Sequence, residues 1–215
     1  MIEFVQAIPF TYAALFPVLN PLGSAVIFLT LTMGLPERDL HKLSRKVAFN
    51  TFLLLIIVLF GGSWFLRIFG ITVPAVQIGG GLVVAYIGWT LLNRPASSTG
   101  YGATPPKNEA EASDMAFFPL TMPITAGPGC IAVTLTIGAH EVKSTSLSHT
   151  FFNQLGATVG ILLAAMTVFL CYRYAFRLTR SLGTAGTQVI TRLSAFINLC
   201  IGIEIIINGI NGLMS

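Results

Sequence analysis

The hydrophobic positions of this 215-residue chain fall into six long blocks separated by polar connections. The blocks cover residues 4–33, 47–69, 73–93, 115–139, 150–172 and 189–213. Each block is long enough to cross a bilayer as a helix, which takes roughly 20 apolar residues. Helix is the expected conformation because hydrocarbon offers no partner for free backbone groups, and the alternating pattern of a membrane barrel is absent. The pattern predicts an all-α integral membrane protein with six transmembrane helices.

The composition excludes most soluble classes of protein. Hydrophobic residues make up 54% of the chain and charged residues 9%, whereas roughly a quarter of a globular domain is charged. Six spans leave no room for a catalytic domain, and we find neither a nucleophile with a base nor paired carboxylates, so we do not expect an enzyme. The three cysteines lie in apolar blocks and predict small core residues. We expect no metal site and no cofactor.

Lysine and arginine are unevenly distributed between the connections. Nine of the twelve lie in the first, third and fifth connections, and two lie in the second and fourth. The positive-inside rule then places the odd-numbered connections in the cytoplasm and both termini on the outer, periplasmic side. Because the basic residues follow membrane orientation, the net charge of +4 does not indicate a nucleic-acid partner. The amino terminus lacks the basic region of a secretory signal, so we expect the first block to remain as a span.

The two halves of the chain resemble each other. Residues 94–114 are rich in Pro, Ser, Gly and charge and predict a cytoplasmic linker loop. The linker would separate a first three-helix repeat, 1–93, from a second, 115–215. Three crossings per repeat place the second repeat upside down, and PVLNPLG at 17–23 matches PITAGPG at 123–129. Inverted repeats are typical of secondary transporters.

The first block is too long for one straight span. Its roughly 30 residues would extend about 45 Å as a helix, against a hydrocarbon core of about 30 Å. Pro17 and Pro21 each remove a backbone donor, so the helix should break between them. Asn20 followed by Pro21 is the pattern of a new helix start, with an N-cap and then proline at the first helical position.

The fourth block carries a corresponding break. Pro119 and Pro123 disturb its first part, and either Thr125 or Gly127 would cap a second helix that begins at Pro128. In inverted repeats, the two new helices should point their amino ends at each other. The alternative, in which the prolines only kink packed helices, stays open.

Two helix starts that meet inside the membrane would suit a zwitterionic amino acid. The unpaired N–H groups and partial positive charge of a helix start favour a carboxylate. The carbonyls that end the preceding half-helices, near Phe16, Pro17 and Met122, carry the opposite partial charge. These carbonyls are the predicted acceptors for an ammonium group.

The sixth block holds the remaining polar candidates. Glu204, Asn208 and Asn211 lie on one helix face, and an intramembrane acid is a candidate for coupling to H⁺ or for pairing with an ammonium group. A protonated acid that is hydrogen-bonded within the bundle is the alternative. Arg192 and Gln77 take corresponding places in the two halves, so we expect them to anchor the cytoplasmic side or to cap the repeat interface.

Small residues in two blocks predict close helix contacts. Gly79, Gly80 and Gly81 follow one another in the third block, and Gly156 and Gly160 form a GxxxG pattern in the fifth. Glycine lets helix backbones approach closely in membranes. We expect these positions to serve packing.

Several motifs make nearly the whole chain resemble the MarC/SnatA family of bacterial inner-membrane proteins. The motifs are LNPLG in the first block, FGI before the third, FFPLTMPITAGPG leading into the fourth, and ITRL at the start of the sixth. The resemblance implies a multi-pass inner-membrane transporter, an exporter or exchanger, of small neutral amino acids such as alanine, glycine, serine and threonine. The substrate-binding residues that it implies are Asn20, Pro21, Gly23, Thr125, Gly127, Pro128 and Gly129.

One position differs from the family pattern, because QIGGG at Gln77 stands where we expect Arg followed by Ile-Ala-Gly-Gly. The sequence leaves open which amino acid is moved, the direction of flux, the coupling ion (H⁺ or Na⁺) and the oligomeric state. The expected partners are a small zwitterionic amino acid and membrane lipid. A passive small-solute channel and a non-transporting membrane scaffold are the alternative functions.

Overall fold

The computed structural model describes residues 2–32, 34–93, 109–142 and 147–214, which form helices and no strands. In chain order the elements are α1 (Ile2–Leu19), α2 (Pro21–Leu31), α3 (Glu37–Ile68), α4 (Val73–Leu92), α5 (Glu109–Asp114), an irregular segment (Ala116–Thr125), α6 (Pro128–Val142), α7 (Leu147–Arg173) and α8 (Ala175–Met214). The prediction of an all-α protein is confirmed.

Six crossings are formed when each broken helix pair counts as one span. In the described part of the chain, α3, α4, α7 and the part of α8 after Gln188 are each long and apolar enough to cross a membrane. The pair α1 and α2 is bent by 41°, and the irregular segment and α6 are bent by 70°. The predicted multi-span fold with broken first and fourth spans is therefore confirmed.

The outer surface of the bundle is apolar. Phe60 and Trp64 on α3 and Phe196 on α8 are exposed side chains on long helices. Inside, Leu15, Phe28 and other buried side chains form one cluster between α1, α2, α3, α7 and the irregular segment. An apolar exterior around an apolar core is the arrangement expected of a protein whose solvent is lipid.

Two helices extend beyond the predicted apolar blocks. The helix α3 begins at Glu37 rather than at 47, and acidic residues in its first turn suit a helix amino end. The predicted connection 173–188 lies between two spans, but from residue 175 onwards it is helical in α8, with a break at Gly183, where φ is 64°. Hydropathy detects only the lipid-embedded part of a helix, whereas helical hydrogen bonding continues into water. Of the predicted linker loop, residues 109–114 are α5, and 94–108 lie outside the described residues.

Each half of the chain packs its broken span against the other half. The helix α2 contacts α7 and α8, and α6 correspondingly contacts α3 and α4. The last helices of the two halves, α4 and α8, pack antiparallel against each other, with Gly88 near Ala195 and Gly81 near Gly202. The same set of contacts recurs when the halves are exchanged, as expected of inverted repeats. The repeat boundaries 1–93 and 115–215 stay a prediction.

Glycines allow the closest of these helix contacts. A Cβ atom at Gly156 would lie 2.6 Å from the Phe4 carbonyl oxygen, and one at Gly160 would lie 2.9 Å from the Ile8 carbonyl oxygen. The GxxxG pattern therefore packs α7 on α1, and the packing prediction is confirmed there. In the run of three glycines, Gly80 faces α6 and Gly81 faces α8, whereas a Cβ atom at Gly79 would meet nothing within 4 Å.

Candidate functional site

The break in the first span is centred on Asn20. Its backbone is left-handed, with φ 45° and ψ 58°, a conformation in which asparagine is the usual residue after glycine. The Asn20 N–H donates to the Phe16 carbonyl at 3.1 Å, and its own carbonyl accepts from the Ser24 N–H at 2.9 Å. Its Oδ1 accepts from the Gly23 N–H at 3.2 Å. Asn20 therefore ends α1 and caps α2, as predicted.

Gly23 makes room for this cap. A Cβ atom at position 23 would lie 2.9 Å from the Asn20 side-chain carbon Cγ. Because that contact is too close, a larger residue would displace the Asn20 amide. Pro21, at the first position of α2, supplies no N–H group of its own.

The break in the fourth span separates the irregular segment from α6. Phe118 and Met122 have extended backbone, with φ of −122° at both, as expected for residues that precede proline. The Gly127 carbonyl accepts from the Cys130 N–H at 3.0 Å, and α6 begins at Pro128. Of the two caps that the sequence allows, the structure selects Gly127.

Thr125 has a different role from the predicted cap. Its Oγ1 donates to the Leu120 carbonyl at 2.6 Å and lies 2.6 Å from the hydroxyl of Tyr172 on α7. Tyr172 is fully buried and stacks on Phe28 of α2, with ring centroids 4.5 Å apart. Thr125 thus connects the break in the fourth span to α7 and, through the stacked rings, to α2.

Both breaks line one cavity of about 180 Å³. Asn20 and Ser24 contribute from the first break, residues 123–125 and 127–130 from the second, and Asn198 from α8. Apolar side chains of α4 complete the wall. The arrangement brings together two helix starts that are more than 100 residues apart in the chain.

The cavity contains most of the residues that the motifs indicate. Five of the seven line it, namely Asn20, Thr125, Gly127, Pro128 and Gly129. Pro21 and Gly23 are buried in the first turn of α2 and do not line it. Those two residues support the Asn20 cap without contacting the cavity.

Each break has a hydrogen-bond donor that is not used by the helix cap. Amides in the first turn of a helix have no intrahelical acceptor. At α6, Pro128 has no N–H and the Cys130 N–H is bonded to the Gly127 carbonyl, which leaves the Gly129 N–H as the donor. At α2, Asn20 uses its side-chain oxygen as the cap, which leaves its NH₂ group. The Phe16 carbonyl, a predicted ammonium acceptor, is instead bonded to the Asn20 N–H.

Sequence reasoning missed Asn198. Its side chain is 7% exposed, and it is the residue of α8 that lines the cavity. It lies about 40° from Gly202 around the helix and about 120° from Glu204. Asn198 could have been identified from its position on the same face of α8 as Gly202, because the face that carries glycine packs inward.

The predicted polar stripe on α8 lies on the outside of the bundle. Glu204, Asn208 and Asn211 are all exposed, and the Asn208 Nδ2 lies 3.5 Å from the Glu204 Oε1. None of them lines the cavity. A role for Glu204 and Asn208 in coupling stays a prediction.

Gln77 and Arg192 do not form a pair. The Gln77 Nε2 donates to the Thr136 Oγ1 at 2.9 Å and so connects α4 to α6 across the two halves. Arg192 is exposed on α8. Because α4 and α8 are antiparallel, Gln77 lies near Gly209 and far from Arg192 along the helix pair.

Fold and cavity together define the class of protein: an α-helical integral membrane protein in which two broken spans line one cavity. The chain matches the profile of the MarC family integral membrane proteins over residues 5–214, and it belongs to that family. It is 29% identical over 214 residues to the UPF0056 inner membrane protein MarC of Escherichia coli (strain K12 / DH10B) and to that of Salmonella typhi. Each match covers 98% of this chain and 96% of the relative. No solved structure matches the chain.

The comparisons confirm the resemblance found in the motifs. The relatives are inner membrane proteins by name, and this chain has several apolar helices of membrane-spanning length. The chain is therefore a MarC family membrane protein.

Proposed function

We propose that this protein is a secondary transporter, an exporter or exchanger, of small neutral amino acids such as alanine, glycine, serine and threonine. The observation that carries the proposal is the single cavity lined by the breaks of both discontinuous spans. Discontinuous helices from two inverted repeats commonly form the binding site of secondary transporters.

The volume of the cavity matches a small ligand. A cavity of 180 Å³ corresponds to about six water molecules at roughly 30 Å³ each. Alanine has about that number of non-hydrogen atoms. An apolar cavity of about 150 Å³ in another protein holds benzene, which is of similar size. The volume therefore suits an amino acid with a small side chain.

The lining of the cavity favours a ligand without net charge. Among the described residues, the lining includes no Asp, Glu, Lys or Arg. An acidic or basic side chain on the ligand would therefore be buried without a charged partner, which is strongly unfavourable. A zwitterion fits better, because its carboxylate can accept from the Gly129 N–H and the Asn20 NH₂ group. Val84 and Ile87 of α4 would contact a small side chain.

A second cavity supports a transport route towards the basic connections. It measures about 150 Å³ and is lined by residues that include Glu37, His41, Arg173 and Arg177. Phe28 and Tyr172 also line it, and Tyr172 bonds to Thr125 in the wall of the first cavity. We infer that alternating access opens the route between the cavities at this contact.

The positive-inside rule supports an orientation with both termini on the periplasmic side of the bacterial inner membrane. In that orientation the second cavity faces the cytoplasm, because Glu37, His41, Arg173 and Arg177 belong to the first and fifth connections. Attachment of a membrane-impermeant label to a cysteine added at either terminus of intact cells tests this orientation.

Counterflow in proteoliposomes tests the proposed function. Vesicles loaded with unlabelled L-alanine should accumulate labelled L-alanine transiently, and the rate should saturate with concentration. Linear flux without counterflow would show a passive channel, and no flux with any small amino acid would favour a scaffold. The same assay under imposed H⁺ or Na⁺ gradients identifies the coupling ion.

A further inference from the structure

Asn198 has a buried side chain with an unused hydrogen-bond acceptor. The side chain is 7% exposed, and its Oδ1 has no hydrogen-bond partner among the described residues. Buried polar atoms in native proteins nearly always have a partner, so an exception calls for an explanation. Because Asn198 lines the cavity, a ligand in the cavity is the natural source of the missing donor.

Two other buried side-chain oxygens in the described part of the chain also lack a hydrogen-bond partner, but their residues do not line the cavity. Thr11 Oγ1 and Thr51 Oγ1 are buried and unpartnered, and neither threonine lines the cavity. Thr11 packs against Gly160 in the contact between α1 and α7. Only Asn198 among these three combines an unused acceptor with a place in the cavity wall.

The position of the Asn198 amide is fixed by the α4–α8 contact. On one side of it, a Cβ atom at Gly88 would lie 2.8 Å from the Ala195 carbonyl oxygen. On the other side, a Cβ atom at Gly81 would lie 2.7 Å from the Gly202 carbonyl oxygen. Backbones this close leave α8 little freedom to rotate, so Asn198 keeps its place in the cavity wall.

The chemistry of Asn198 complements that of the helix breaks. The Gly129 N–H and the Asn20 NH₂ group are donors and suit a carboxylate. The Asn198 Oδ1 is an acceptor. An α-amino acid carries a carboxylate and an ammonium group on one carbon atom, and it can satisfy both kinds of group at once.

We propose that the side-chain oxygen of Asn198 accepts a hydrogen bond from the ammonium group of the transported amino acid. This inference rests on the proposed function, and it identifies the feature that distinguishes an amino acid from a simple carboxylic acid. Asn198 is then a specificity-determining residue for the α-ammonium group.

The test compares L-alanine with propionate, which is alanine without its ammonium group. Affinities are measured by calorimetry on the purified full chain in detergent. A hydrogen bond to a charged group contributes enough for roughly a tenfold to hundredfold difference in affinity. The wild-type protein should prefer alanine by about that factor. Asn198→Leu should lose most of the preference, and Asn198→Asp should increase it because the added carboxylate attracts the ammonium group and repels propionate.

Thr51→Val is the matched control, because it also replaces a buried unpartnered oxygen but lies outside the cavity. It should keep the wild-type preference. A wild-type preference in Asn198→Leu, or an equal loss of affinity for both ligands, would overturn the inference. If Asn198→Leu fails to fold, an unchanged ratio in Asn198→Asp overturns it instead. The same affinities are also measured with Na⁺ replaced by choline. If Asn198→Leu changes only the Na⁺ dependence of alanine binding, Asn198 is an ion ligand and the proposal is refuted.

Failure of the proposed function and failure of the proposed role of Asn198 give different results. Wild-type protein that binds and exchanges no small amino acid would refute the proposed function itself. Wild-type exchange together with an unaffected Asn198→Leu ratio would refute only the role of Asn198.

Discussion

The contact between α4 and α8 offers a matched pair of substitutions with opposite expected effects. Gly79 and Gly81 lie two residues apart on the same helix. A Cβ atom at Gly81 would lie 2.7 Å from the Gly202 carbonyl oxygen and 2.8 Å from Ile206. The first of these atoms is backbone and cannot move aside alone. A Cβ atom at Gly79 would meet nothing within 4 Å.

The expected magnitudes follow from two opposing terms. Overpacking of a well-packed contact costs about 1–3 kcal/mol, and replacing a helix-interior glycine by alanine contributes about 0.5–1 kcal/mol of stability. Gly81→Ala should therefore lower the free energy of unfolding by about 1–2 kcal/mol. Gly79→Ala gains helix stability without overpacking, so it should raise the free energy of unfolding by up to about 1 kcal/mol.

Thermal and denaturant unfolding of the two purified variants in the same detergent measures this difference. Gly81→Ala should also weaken alanine binding, because a shift of α8 moves Asn198 relative to the breaks. Equal stability of the two variants would refute the close α4–α8 contact. A destabilised Gly81→Ala variant with wild-type alanine affinity would refute the link between that contact and the cavity.

Four substitutions in and around the site give further predictions. Asn20→Gly keeps the left-handed backbone and costs only a few tenths of a kcal/mol as a cap, but it should lower alanine affinity in calorimetry because two donors are lost. Asn20→Asp keeps the cap acceptor and should abolish counterflow, because a second carboxylate faces that of the ligand. Tyr172→Phe should lower the free energy of unfolding by about 1 kcal/mol through loss of the bond to Thr125. Glu204→Gln should leave alanine affinity unchanged, because Glu204 does not line the cavity.

Each of these predictions has a contradicting result. Wild-type alanine affinity in Asn20→Gly, or full counterflow in Asn20→Asp, would remove this residue from the site. Unchanged stability in Tyr172→Phe would show that the buried hydroxyl pair contributes nothing. Loss of alanine affinity in Glu204→Gln would place this acid at the ligand, against its observed exposure.

The breaks could be predicted from sequence because their causes are local. Pro21 and Pro128 lack N–H groups, and Asn20 is a residue type that caps helices, so neither break depends on distant parts of the chain. The choice between Thr125 and Gly127 as the cap could not be predicted. Both residue types serve as caps, and Thr125 is committed to Tyr172 far along the chain.

The inward position of Asn198 and the start of α8 could not be predicted from hydropathy. Glycine contacts with α4 decide which face of α8 turns inward. Hydropathy does not report helix faces, so by hydropathy alone Asn198 and Glu204 are simply two polar residues in one apolar block. The helical residues from 175 onwards were missed because polar sequence outside lipid carries no apolar signal, although it forms helix well.

Determination of the structure with bound L-alanine is the most direct test of the central claim that the two breaks form one amino-acid site. We expect ligand density in the cavity, with the carboxylate at the Gly129 N–H and the Asn20 NH₂ group. Density outside this cavity, or a carboxylate bound away from both helix starts, would contradict it.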